Sequence, residues 1–177
     1  MLDRTTTLFS HVKPNDTAFV RGGLRDFFLY RDLGIAEATH GKVIAHLVKA
    51  NEPPDGGTGW HIHEADFQIV IMTKGWAKFM YEDQVTLVEA GDVVHQRPGI
   101  RHYLFDYSPD MEYLEIVSPA DFKSIPVDPV CEIPPPTPWI SLQSAFEGLG
   151  TVRGEMSHPE MPWNRLRRAT GIAPLRG

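Results

Sequence analysis

The sequence predicts an all-β domain, a sandwich or barrel of short strands, and three observations predict it. Runs of β-branched, aromatic and apolar residues recur at an even spacing between residues 27 and 117. The breaks between them carry the residues that tight turns require. No helical period of apolar residues intervenes, as it would in an alternation of helices and strands.

In chain order, the first runs are Phe28-Leu29-Tyr30 and residues 43–48, followed by a strand that His61 opens. Residues 67–72, 76–81, 85–88, 93–94, 102–107 and 111–117 supply the rest. Between them stand Asp55-Gly56-Gly57, Lys74-Gly75, Glu82-Asp83, Ala90-Gly91-Asp92, Pro98-Gly99 and Ser108-Pro109-Asp110. Glycine supplies positive φ in such turns and proline presets a negative one.

After Val117 the character changes. Residues 118–138 hold seven of the chain's 15 prolines, Pro134-Pro135-Pro136 among them. Proline cannot donate to a sheet ladder, so this stretch reads as an extended connector rather than more barrel. Beyond it lie one short helix around residues 142–146 and a basic segment with Arg165, Arg167, Arg168 and Arg176. Trp139 and Trp163 give the tail apolar material to lay on its own barrel or on a neighbouring subunit. The expected organisation is an N-terminal arm with its strands over 1–40, a barrel core over 41–120, and a Pro-rich connector and tail over 121–177.

Bulk properties narrow the partners. The 177 residues carry a net charge of −6, with 17 Lys and Arg against 23 Asp and Glu. That acidic balance, without a basic stripe, argues against nucleic acid and against an anionic membrane. The longest central apolar run, Ile69-Val70-Ile71-Met72, is far shorter than the roughly 20 residues that span a bilayer. Cys131 has no second cysteine to pair with, and residues 1–6 lack the apolar core of a signal peptide, so a cytoplasmic protein is expected.

The chemistry is concentrated in four residues. Side chains alternate along a strand, so His61 and His63 point the same way, into a barrel if the strand lies in its wall. Two imidazoles so placed can share a metal ion at about 2.0–2.1 Å. Gln68, five residues on, adds a neutral oxygen, and His102 brings a third imidazole from another strand. A lone His-x-His is more often a surface or core pair; the matching offsets of Gln68 and His102 favour a metal. His11, His40 and His158 read as surface residues, while His46, on the preceding strand over 43–48, can face inward or outward, and so can His95 beside the second region, that of His102.

These spacings resemble the cupin superfamily. Its first motif, HxH(x3–4)E(x6)G, is similar to His61-x-His63-(x4)-Gln68-(x6)-Gly75, and its second, G(x5)PxG(x2)H(x3)N, to the stretch from Gly91 through Gly99 to His102 and Asp106. Gln68 replaces the usual glutamate, Asp106 the asparagine, and Pro98 sits one place late. The resemblance covers residues 40–120 and implies a jelly-roll barrel of the RmlC type with a Pro-rich C-terminal extension. It also implies one divalent transition metal (Zn, Ni or Fe) on His61, His63, Gln68 and His102, and a homodimer.

Four neutral donors leave the dication its full charge, which strengthens it as a Lewis acid and favours an anionic small-molecule substrate or hydroxide. The HxH(x4)Q spacing further resembles small cupins that convert unsaturated uronates to linear keto-acids. They follow the last ligand with D-x-F-S-P, where this chain has Glu115-Ile116-Val117-Ser118-Pro119. Glu115 then stands in the place of the catalytic Asp, although Val117 replaces the Phe and an insertion precedes Glu115. Strand alternation puts Tyr113, Glu115 and Val117 on one face. The expected function is an enzyme acting on a small carbonyl compound or sugar acid by Lewis-acid hydration, isomerisation or elimination. An iron-dependent dioxygenase and a non-catalytic small-molecule binder are the alternatives.

Overall fold

Every run expected to be a strand between residues 27 and 117 forms one in the computed structural model, which describes residues 7–139. In order they are β1 (Phe28–Asp32), β2 (Ile44–Ala50), β3 (His61–Glu64), β4 (Phe67–Lys74), β5 (Trp76–Tyr81), β6 (Gln84–Glu89), β7 (Val93–His95), β8 (His102–Tyr107) and β9 (Glu112–Ser118). Two further elements were not expected. One is a single helical turn, α1 (Ile35–Ala38), too short to show a period. The other is β10 (Lys123–Pro126).

All pairings are antiparallel. One sheet runs in the order β1-β2-β9-β4-β7 and the other β10-β3-β8-β5-β6. The strand β10 corrects the reading of residues 118–138 as connector alone, because Lys123–Pro126 adds an edge strand to β3. Proline is tolerated there because Pro126 is the last residue of an edge strand, where a missing donor breaks no central ladder.

The remaining connector runs without regular structure and covers the outer side of the second sheet. Val127, Val130, Cys131 and Ile133 pack on Trp60, Met80 and Phe105. Thr137 donates through its backbone N–H (2.9 Å) and its hydroxyl (2.8 Å) to Asp106, and the Trp139 indole donates to the Tyr107 carbonyl at 3.0 Å. Trp139 therefore lies on its own barrel. The helix expected over residues 142–146, Trp163 and the basic segment lie outside the described residues. No helix among the described residues is long and apolar enough to cross a membrane.

Between the sheets, each strand's inner face changes character at the same end. Val48, Val70, Phe79, Leu104 and Tyr113 belong to one buried apolar cluster. Two residues along the same strands stand His46, Gln68, Tyr81, His102 and Glu115. Period-2 alternation keeps these on the inner face, so five strands present a polar side chain at one end of a greasy interior.

The turn between β4 and β5 depends on Gly75, whose φ is +61°. A Cβ there would press on Ser108, on Asp110 and on the backbone nitrogen of Met111. Gly75→Ala should cost about 1–3 kcal/mol of stability through backbone strain and displaced neighbours. Chemical denaturation checks it, and an unchanged midpoint would contradict this role.

Candidate metal centre

The second sheet supplies the imidazoles. His61 on β3 pairs directly with His102 on β8, so their side chains are cross-strand neighbours on one face. His63 lies two residues along β3 on the same face. All three are buried, and their ring centroids are 4.1 Å (His61–His102), 4.9 Å (His61–His63) and 4.9 Å (His63–His102) apart. One ring nitrogen from each lies within 4.8 Å of the others.

Each ring has its Nδ1 occupied. Nδ1 of His61 donates to the Gly59 carbonyl at 2.8 Å, and Nδ1 of His102 to the Ile100 carbonyl at 2.9 Å. Nδ1 of His63 donates to Gln68 Oε1 at 2.5 Å. These acceptors fix the tautomer and leave an Nε2 lone pair on every ring, of which that of His102 accepts from the Gln96 amide. Nε2 of His63 is buried with no hydrogen-bond partner. A buried, unpaired nitrogen is costly unless something binds it. Three neutral, converging imidazoles with oriented second nitrogens are a donor set that fits a divalent transition metal.

The first sheet supplies the polar chain behind them. Gln68 on β4 is 3 % exposed, and its Oε1 accepts from His63 and, at 3.1 Å, from the Gln96 amide. Its own amide donates to Glu115 Oε1 at 2.5 Å. The other oxygen of Glu115 lies 2.5 Å from His46 Nε2. Strand register explains both contacts: His46 is the direct partner of Glu115 across β2 and β9, and Gln68 is its diagonal neighbour across β4 and β9. Glu115 thus sits on the inner face with Tyr113 and Val117, as alternation requires. Burial works against its ionisation, but the contacts with His46 and Gln68 outweigh it and hold the carboxyl below its ordinary range.

Two residues near the motifs lie elsewhere. His95 is exposed, and Asp106 turns away from the histidines, bonded to Lys78 at 2.9 Å and to Thr137. Gln96 had not been anticipated. Its amide reaches His102 Nε2 at 2.7 Å, and its carbonyl accepts from the Tyr81 hydroxyl at 3.0 Å. The signal was alternation: if Val94 packs inward, Gln96 must follow it and His95 must face out.

The cavity lined by the three histidines, Gln68, Gln96 and Glu115 encloses about 450 Å³ including its part open to solvent, and its other walls are mostly apolar or aromatic, Phe28, Val70, Phe79 and Leu104 among them, with Arg25 and Thr58 also in the lining. Among known sequence families, the model for the cupin domain matches residues 49–117. Over that segment the chain is similar to cupin domains. Both motifs and all three histidines fall within the matched segment.

Solved structures agree on the cupin fold. A predicted oxalate decarboxylase from Thermotoga maritima is 24% identical, with 61% of this chain covering 97% of that one at a TM-score of 0.51. The polyketide cyclase RemF from Streptomyces resistomycificus is 16% identical, with 68% of this chain covering 87% of that one at a TM-score of 0.54. No curated protein matches the sequence. At these identities the likeness speaks for the jelly-roll barrel and not for an activity.

Burial disfavours the charged imidazoles. It pushes His61 down to about 4, and, with His61 beside it, His102 down to about 2. In the unfolded chain these groups protonate near pH 6.5. The unfolded state therefore binds more protons below that pH, and stability falls as pH drops. Metal-free protein should lose on the order of 1 kcal/mol per pH unit for each such histidine between about pH 6 and 4. His102→Asn should flatten the slope; identical slopes in urea denaturation of the two proteins would contradict the buried neutral imidazole.

Proposed function

We propose that this cupin is a metal-dependent enzyme that acts on a small carbonyl compound or sugar acid by Lewis-acid hydration, isomerisation or elimination. His61, His63 and His102 would hold one divalent transition metal, Zn, Ni or Fe, through their Nε2 atoms, with the Gln96 amide giving up its hydrogen bond to His102. The observation that carries this reading is the buried Nε2 of His63, bare and facing two other imidazoles whose Nδ1 hydrogens are already placed. Gln68 enters the proposal as a neutral oxygen donor at the edge of the cluster; to coordinate, its Oε1 would exchange its contact with the Gln96 amide for the metal and keep the His63 hydrogen on its other lone pair.

A divalent metal there would supply polarisation of a substrate carbonyl or hydroxyl. The chain's own residues would do the rest. The apolar walls exclude water and strengthen every charge interaction inside. Glu115 is the carboxylate in the cavity lining, and we assign it the proton-transfer role. Its second oxygen touches His46, so a proton taken at Oε1 would sit beside an imidazole able to share the charge. Contact between Glu115 Oε1 and substrate would require the Gln68 amide to yield its hydrogen bond.

Elemental analysis of purified protein should find close to one divalent ion per chain, and His61→Ala or His102→Ala should abolish it while the barrel stays folded. Full occupancy in both variants would remove the ligand assignment. With uronate-derived keto-acids and small diketones as the panel, turnover should persist without oxygen. Glu115→Gln should keep metal and fold but lower the rate about 10²- to 10⁴-fold. An equally active Glu115→Gln protein would take Glu115 out of the mechanism.

A further inference from the structure

Five arginines lie among the described residues, and four have side-chain partners. Arg21 bonds Glu52 at 3.0 Å, Arg31 bonds Thr17 at 3.1 Å, and Arg97 and Arg101 share Glu82 at 3.4 and 2.7 Å. Arg25 differs. Its guanidinium donates only to the neighbouring Leu24 carbonyl, at a long 3.3 Å, and it meets no carboxylate among the described residues. A guanidinium presents five donors in a fork that matches a carboxylate.

Its location makes this informative. Arg25 and Leu24 line the cavity that holds the three histidines, and Arg25 is the one Lys or Arg in that lining. It is only partly exposed. The lining's one carboxylate, Glu115, already has both oxygens engaged by His46 and Gln68. No unengaged carboxylate in that lining is therefore left for Arg25.

The backbone holds it there. The Arg25 N–H donates to the Tyr30 hydroxyl at 3.1 Å, and Phe28 N–H returns to the Arg25 carbonyl at 3.3 Å. Gly23 lies so flat on the Tyr30 ring that a Cβ would overlap it. Tyr30 belongs to β1, pairs with Val48 and stands edge-on to His46, with ring centroids 5.4 Å apart. The loop carrying Arg25 is thus anchored to the barrel wall.

We propose that Arg25 is the anion receptor of this site, and that its substrate is a small carboxylate bearing a carbonyl, with the carboxylate on Arg25 and the apolar part against Phe28 and Leu104. This deepens the metal-enzyme reading and rests on it. The carbonyl end belongs with the histidine cluster, the charged end with the unpaired guanidinium, and the intervening walls are apolar. A neutral substrate would leave Arg25 unanswered inside a partly dry cavity. The pairing is charge-assisted and can be bidentate, so it discriminates strongly against an uncharged isostere.

The test is binding, read from the visible absorption of cobalt-loaded protein during titration with pyruvate or with butane-2,3-dione, a neutral dicarbonyl of similar size. The parent protein should bind pyruvate more tightly than the dione. Arg25→Gln should weaken pyruvate about 10- to 100-fold, the range of one charge-assisted hydrogen bond. It should leave dione affinity and cobalt stoichiometry unchanged, and Arg25→Lys should recover part of the loss. Equal pyruvate affinity in the parent and Arg25→Gln, or no preference for pyruvate in the parent, would overturn the assignment while leaving the metal reading intact. Failure of both proteins to bind cobalt would instead overturn the metal reading, and the substrate class with it.

Discussion

Each of the three imidazoles gives its Nδ1 hydrogen to an oxygen that the fold holds in place, and the site depends on those three bonds. Two acceptors are backbone carbonyls, of Gly59 and Ile100, each two residues before the histidine it orients. The third is the Gln68 side chain, which Glu115 and His46 hold in turn. Without them each ring could rotate or change tautomer, and the Nε2 lone pairs would no longer share a point. The two sheets divide the work: one carries the imidazoles, the other carries the carboxylate and amide behind His63.

The same geometry sets the electrostatics. Neutral donors alone would leave a bound dication its full charge, but Glu115 stands two hydrogen bonds behind His63 and returns a negative charge to the neighbourhood. Arg25 brings a positive one from the opposite side of the sequence, on a loop before β1. A buried carboxylate, three imidazoles and a guanidinium thus line one cavity with mostly apolar walls. The hydrophobic cluster below contributes by holding register, since a one-residue slip of β9 would turn Glu115 outward and put Leu114 or Ile116 in its place.

Most of the barrel was legible because strand alternation and turn glycines are local signals. His61, His63 and His102 were legible because both motifs keep their spacing; alternation put Glu115 on one face with Tyr113 and Val117, but which face looked inward took the structure to show. What escaped was non-local. The role of His46 depends on the β2–β9 register, which no local pattern states. Arg25 sits in a loop outside any motif, and what marks it is a place in the cavity lining with no carboxylate partner among the described residues. Residues 123–126 were misjudged because proline density argues against a strand, whereas an edge position tolerates Pro126.

X-ray absorption spectroscopy of the zinc- or nickel-loaded protein tests the central claim most directly. Three imidazoles on one ion give nitrogen and oxygen neighbours at about 2.0–2.1 Å and outer-shell scattering that fits three rings. His102→Ala should reduce any residual bound ion to two rings at most. Bound metal without imidazole scattering, or with a single ring, would contradict the convergence of His61, His63 and His102 on one ion.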